Sequence, residues 1–222
     1  MIFYRPTDGD VEDKPIIIRP RTAFLMTKLG DPISDELKQM RDSVTRIMNE
    51  FSYNGVDANS MTTGKDFLLK IWNIAMGVPV GIAIIDETIS PQTMANIFYE
   101  MGWMQAHGKD TIVIKSKNVT IPSDFIRTEY IEFNESFDTR FKAYFENLEE
   151  QAEYYAFIGE QLDNNPLLAI DYYRRAFLIT GSELYKEKTL EILDKEDFSK
   201  RTRRSVESLH SGFATGVQMV KR

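Results

Sequence analysis

The chain has 222 residues, 42% of them hydrophobic and 27% charged, with a formal net charge of −7, two histidines and no cysteine. That is enough chain for one α/β domain and a helical appendage around a real core, while the lack of cysteine excludes a disulfide framework, a thiolate nucleophile and a Cys-ligated zinc. Net acidity argues against duplex nucleic acid as a partner, and with no run of about eighteen apolar residues and no basic-then-apolar leader, neither a membrane span nor a signal peptide is expected, and the expected compartment is the cytoplasm.

Residues 1–20 carry turn formers and acids, then Ile16-Ile17-Ile18 before Pro20, and are expected to be an N-terminal arm or an added edge strand. The apolar run Thr22-Ala23-Phe24-Leu25-Met26, closed by Thr27-Lys28-Leu29-Gly30-Asp31-Pro32, reads as the first strand and its loop. From Ser34 the period changes. Leu37, Met40, Val44, Ile47, Met48 and Phe51 recur at three- and four-residue spacing, which predicts an amphipathic helix capped by Ser34 or Asp31.

Residues 55–58 read as a short strand or its loop, and residues 63–75 as a second helix burying Phe67, Leu68, Ile71, Trp72 and Ala75. The stretch 79–85 is apolar on both faces, as a central parallel strand covered on two sides must be. A helix over 91–107, a strand over 111–114, a loop through Ile121-Pro122-Ser123-Asp124 and a strand over 130–133 follow. The alternation predicts an α/β domain over 21–135: a right-handed, doubly wound (flavodoxin-like) parallel sheet of about five strands, with ligands beyond the strands' carboxyl ends.

Residues 136–222 break the rhythm and read as an all-helical extension. One helix is expected over 137–148, then a hairpin over about 151–180 in which Tyr155, Ile158, Gly159 and Leu162 face Ala169, Tyr173 and Ala176 across a turn at Asn164-Asn165-Pro166. The hairpin resembles one tetratricopeptide repeat, with a turn about two residues short and Gly181 where the repeat usually has proline. A single repeat cannot bury its own face, so it is expected to dock on the α/β domain, on a second copy in a homo-oligomer, or on a protein partner. Beyond it, Lys200, Arg201, Arg203 and Arg204 form a basic cluster expected to be a solvated or helix-ending patch.

The residues that bear on chemistry lie on the helix over 91–107. Its spacing sets Asn96, Glu100, Trp103 and His107 on one stripe and Ile97, Met101 and Met104 on the neighbouring one. Asp86 ends the apolar strand before it. Gly102 inside the helix costs about 1 kcal/mol relative to alanine, which suggests a close approach there. With two histidines, a His-rich metal cluster is excluded, and neither a P-loop nor a Gly-x-Gly-x-x-Gly fingerprint occurs.

Lys70-Ile71-Trp72-Asn73-Ile74, Ile82-Ala83-Ile84-Ile85-Asp86, Asn96-Ile97-Phe98-Tyr99-Glu100-Met101-Gly102 with Ala106-His107-Gly108-Lys109, and Pro122-Ser123-Asp124 with Arg127 and Tyr130-Ile131-Glu132-Phe133 together make a pattern. Over residues 22–133 it resembles the nucleoside 2-deoxyribosyltransferase-like and Toll/interleukin-receptor-like (TIR-like) group of small α/β domains. The resemblance implies a catalytic glutamate at Glu100 and a strand-end carboxylate at Asp86. Asn96, Met26, Lys28, Tyr99 and Arg127 would contact the ligand, a nucleoside or nucleotide. No metal or cofactor is implied, and NAD enters as a substrate. The connection over 87–93 is longer than in many relatives, and the loop after the first strand lacks their Pro-Phe.

The chemistry itself is general. Breaking a ribosyl C1′–N bond builds positive charge on the sugar, which an ionised carboxylate stabilises or captures covalently. At a glutamate's ordinary pKa of about 4.3, Glu100 is expected to be ionised near neutrality unless desolvation is severe. Asn96 would hold its rotamer or bind a sugar hydroxyl, and Asp86 would bind ribose hydroxyls or assist proton transfer. The expected activity is N-glycosidic cleavage or transfer. The alternative is a catalytically silent nucleotide-sensing or TIR-like assembly module, as in bacterial defence signalling.

Overall fold

The structure is a computed structural model that describes residue 9 and residues 16–59, 67–125, 129–162 and 164–195. Twelve elements follow one another in these residues: β1 (Thr22–Met26), α1 (Asp35–Glu50), β2 (Asn54–Val56), α2 (Phe67–Gly77), β3 (Val80–Ile85), α3 (Pro91–Ala106), β4 (Asp110–Lys115), a 3-10 turn (Ser123–Phe125), β5 (Glu129–Glu132), α4 (Phe137–Glu160), α5 (Pro166–Thr180) and α6 (Leu184–Lys195). The chain forms two compact units, residues 22–146 and residues 1–21 with 147–222. Among the described residues no helix is long and apolar enough to cross a membrane.

The first unit is the doubly wound α/β sheet that the alternation predicts. Its five strands are all parallel, in the order β2-β1-β3-β4-β5. The chain leaves β1 for β2 on one side and returns for β3 on the other, so the topological switch point lies between β1 and β3. All six residues of β3 are fully buried, as the continuous apolar run requires.

Small residues fix how the layers meet. A Cβ on Gly55 would lie 2.8 Å from Leu25 Cδ1 and 3.6 Å from Met48 Cε, so α1 covers the Leu25 face. A Cβ on Gly81 would collide with Met104 of α3 and lie 2.7 Å from Met26 Cε on the other face, where α2 packs beside α3. In α2 the buried side is Ile71, Trp72, Ile74 and Ala75, while Phe67, expected to be buried, is exposed.

The start of α4 belongs to this unit. Phe137 stacks on Phe141 with centroids 5.4 Å apart, Phe145 meets Phe141 in a T-shaped pair at 5.1 Å, and Tyr53 meets Phe145 at 4.9 Å. Such aromatic pairs add about 0.5–1.5 kcal/mol each beyond the area they bury. Ion pairs Arg46–Asp138 (2.7 Å) and Lys142–Glu50 (2.6 Å) set α4 beside α1.

Two expectations need correction here. The separate helix over 137–148 is the first half of one 24-residue helix, α4. Leu148-Glu149-Glu150-Gln151-Ala152 are strong helix formers with no breaker among them. The Ile16-Ile17-Ile18 run is also no strand. Ile18 is instead buried in the second unit, with Ile170, Phe177 and Leu178 of α5.

Arg21 secures that contact. Its backbone N–H donates to Leu178 O at 2.8 Å, and its guanidinium reaches Glu149 Oε1 at 2.8 Å and Thr180 O at 3.2 Å, at the negative end of the α5 dipole. Within the hairpin, a Cβ on Gly159 would lie 2.9 Å from the Tyr173 ring, so glycine lets α4 and α5 close together. Asn165 caps α5 with Pro166 in its first turn, and Gly181 ends it at φ +69°, the left-handed C-cap that proline cannot adopt.

Candidate functional site

Ligands of such sheets bind outside the carboxyl ends of the strands at the switch point, and the sequence delivers Thr27, Lys28, Ser34 and Asp86 to that edge. Asp86 follows β3 directly and is 1% exposed. A carboxylate that deep requires donors, and it has them. Ser34 Oγ donates to its Oδ2, the Thr88 N–H donates to Oδ1 at 3.2 Å, and the Thr88 hydroxyl lies 2.9 and 3.0 Å from Oδ1 and Oδ2.

Ser34 works twice. While donating to Asp86 it accepts the Leu37 N–H at 3.0 Å as the N-cap of α1, so one hydroxyl ties the β3–α3 loop to the start of α1. Nearby, the buried Thr27 hydroxyl donates to Ile84 O at 3.0 Å, linking β1 to β3. Lys28 Nζ donates to Pro32 O, closing the loop after β1 on itself.

Met26 is 1% exposed and packed against the Gly81 backbone, part of the sheet core. Arg127 lies outside the described residues, as does the basic cluster Lys200 to Arg204.

Glu100 is held differently. It is the tenth residue of α3, half-buried, and among the described residues it makes no hydrogen bond or ion pair. Nothing offsets the loss of water around the carboxylate, and burial pushes its pKa up to about 7. Desolvation is thus the condition under which Glu100 is not fully ionised at neutrality.

The helix sorts its neighbours. Phe98 and Gly102 occupy one flank, where Phe98 meets Phe125 with centroids 4.7 Å apart. At 100° per residue Glu100 lies on the opposite flank, with Asn96, Trp103 and His107. Asn96 is exposed. Tyr99 is 55% exposed and packs on Trp103 at 4.4 Å, and His107 Nδ1 lies 2.8 Å from Trp103 O.

The two carboxylates are therefore supported separately. Glu100 sits nine residues into α3 from Pro91, about 14 Å along the helix axis, and among the described residues no hydrogen bond links it to Asp86. Asp86 is brought together with Ser34 and Thr88 instead. Those partners went unread in the sequence. Asp86-Glu87-Thr88 has the spacing of a side chain that bonds the backbone two residues on, a signal for Thr88; nothing local points from Asp86 to Ser34.

Gly102 does not mark a close approach, since the nearest atom to an added Cβ is Phe125 Cζ at 4.0 Å. The arrangement can hold one proton at the Glu100 carboxyl near neutral pH, beside an amide and an aromatic pair. No family model, curated protein or solved structure matches the chain.

Proposed function

We propose that the α/β unit cleaves or transfers at the N-glycosidic bond of a nucleoside, nucleotide or NAD, with Glu100 as its catalytic carboxyl group. The observation that carries this reading is a half-buried glutamate on α3 that no described residue neutralises. Buried structural acids ordinarily have donors, as the more deeply buried Asp86 does.

A carboxyl group titrating near 7 suits acid–base work at neutral pH. From a nucleoside, Glu100 in its protonated form donates to the departing base as the C1′–N bond breaks, so the base leaves neutral with the bonding electron pair and the proton; from NAD, whose nicotinamide is already a cation and leaves neutral with the bonding pair alone, the ionised carboxylate acts without donating a proton. The carboxylate that remains stabilises the cationic sugar and then takes a proton from the incoming water or acceptor hydroxyl, which forms the new C1′–O bond; in base transfer the acceptor is a nitrogen. Asn96 orients the carboxyl or a sugar hydroxyl. Asp86 acts as a positioning residue, holding the β3–α3 loop and the start of α1 through Thr88 and Ser34.

The test is release of free base from NAD and a nucleoside panel by purified protein. Glu100→Gln is expected to lower kcat by at least about 100-fold with the fold unchanged. In the wild type with a nucleoside substrate, kcat/KM should fall as pH rises past about 7, because the protonated acid is lost. An unaltered rate in Glu100→Gln removes the reading.

A second reading, a nucleotide-sensing module without turnover, is favoured by the fully engaged Asp86 carboxylate, which leaves one free acid rather than two. Saturable binding of NAD or a nucleoside by calorimetry, with no base released, would select it.

A further inference from the structure

The second half of α4 presents one stripe that nothing described covers. Glu150, Glu153, Tyr154 and Phe157 stand at i, i+3, i+4 and i+7, so their side chains share a face. Tyr154 is 59% and Phe157 57% exposed. Residues 147–160 carry Glu149, Glu150, Glu153 and Glu160 and no lysine or arginine. Glu149 is paired with Arg21 and Glu160 with Lys188, whereas Glu150 and Glu153 have no ion-pair partner among the described residues. Two aromatic rings bordered by unpaired acids fit a segment that alternates cations with apolar side chains.

The chain contains such a segment, and no function assigned above uses it. Lys200, Arg201, Arg203 and Arg204 set four cations within five residues, followed by Val206, Leu209 and Phe213 at helical spacing. The reach suffices. Lys188 is bonded to Glu160, so α6 starts beside the end of α4. From Lys188 to Lys195 the helix rises about 10 Å, and the next five residues extended span up to about 17 Å, enough for Lys200 to return to the level of Glu160.

We propose that residues 198–213 dock, within the same molecule, on the Glu150–Glu153–Tyr154–Phe157 face of α4, with the arginines on the glutamates and rings and the apolar residues on Tyr154 and Phe157. The docked segment covers the exposed aromatic face of α4, and its release would leave that face open to a competing basic peptide.

Hydrogen exchange on the full chain reads this directly. In 20 mM salt, amides in 198–213 are expected to exchange at least about tenfold more slowly in the wild type than in Glu150→Lys/Glu153→Lys, and the difference should shrink in 0.5 M salt as the charges are screened. Tyr154→Ser/Phe157→Ser should lose the protection at both salt levels. Arg203→Glu/Arg204→Glu should lose it alone and regain it when combined with Glu150→Lys/Glu153→Lys, a recovery that unfolding would not produce. Equal exchange in wild type and Glu150→Lys/Glu153→Lys overturns the proposal. So does protection that grows with protein concentration, which would assign the face to a second copy.

Discussion

The Glu100 carboxyl ties stability to pH with a sign opposite to that of most acidic side chains. Its pKa rises from 4.5 in the unfolded chain to about 7 in the fold, so the folded state holds the proton more tightly. Stability from this group is complete below about pH 4.5 and is lost as pH rises to about 7. Glu100→Gln, which keeps the shape and removes the titration, is expected to match the wild type at pH 4.5. At pH 8 it should exceed it by about 2 kcal/mol, allowing for partial solvent exposure, as read from urea midpoints. Two residues on, Gly102→Ala gains helix propensity in open space, 4.0 Å from Phe125. It should raise stability by about 0.5–1 kcal/mol. Neither environment is written locally. The stripe containing Glu100 was legible from spacing, but the burial of the carboxyl depends on what packs around α3.

At the scale of elements, the same glycine-to-alanine change reverses sign where two helices meet. A Cβ at Gly159 falls 2.9 and 3.0 Å from Tyr173 Cε1 and Cζ, and that ring is buried between α4 and α5. Gly159→Ala should therefore destabilise the hairpin by about 1–3 kcal/mol through overpacking, seen as a lower thermal midpoint. Ser34→Ala removes a helix cap and a donor to a buried carboxylate at once. A loss of about 2–3 kcal/mol is expected, and Ser34→Thr should recover most of it. The start of α1 at Ser34 was legible because capping is local. The bond to Asp86 crosses 52 positions.

For the molecule as a whole, the N-terminal residues matter more than their place at the edge of the sequence suggests. Ile18 is fully buried with Phe177 and Leu178, and Arg21 binds carbonyls at the end of α5 and a carboxylate on α4. Ile18→Ala is expected to cost about 2–4 kcal/mol, with faster hydrogen exchange in α5 and little change in β3 and β4 if the two units unfold separately. The domain plan read from the sequence placed the helical extension after residue 135. The compact units instead divide the chain at 21 and 146, because Phe137, Phe141 and Phe145 bury their rings with Tyr53 and Phe51 of the α/β unit.

Periodicity, caps and turn residues were enough to find the β/α alternation, the parallel sheet and the α4–α5 hairpin, because each is a preference of neighbouring residues for one backbone conformation. Folding alone revealed that Asp86 spends its carboxylate on Ser34, that Glu100 has no such partner among the described residues, and that Ile18 serves the helices rather than the sheet. Those outcomes rest on which side chains meet across tens to more than a hundred residues. Burial and hydrogen-bond satisfaction belong to such pairs, and no single stretch of chain contains both members.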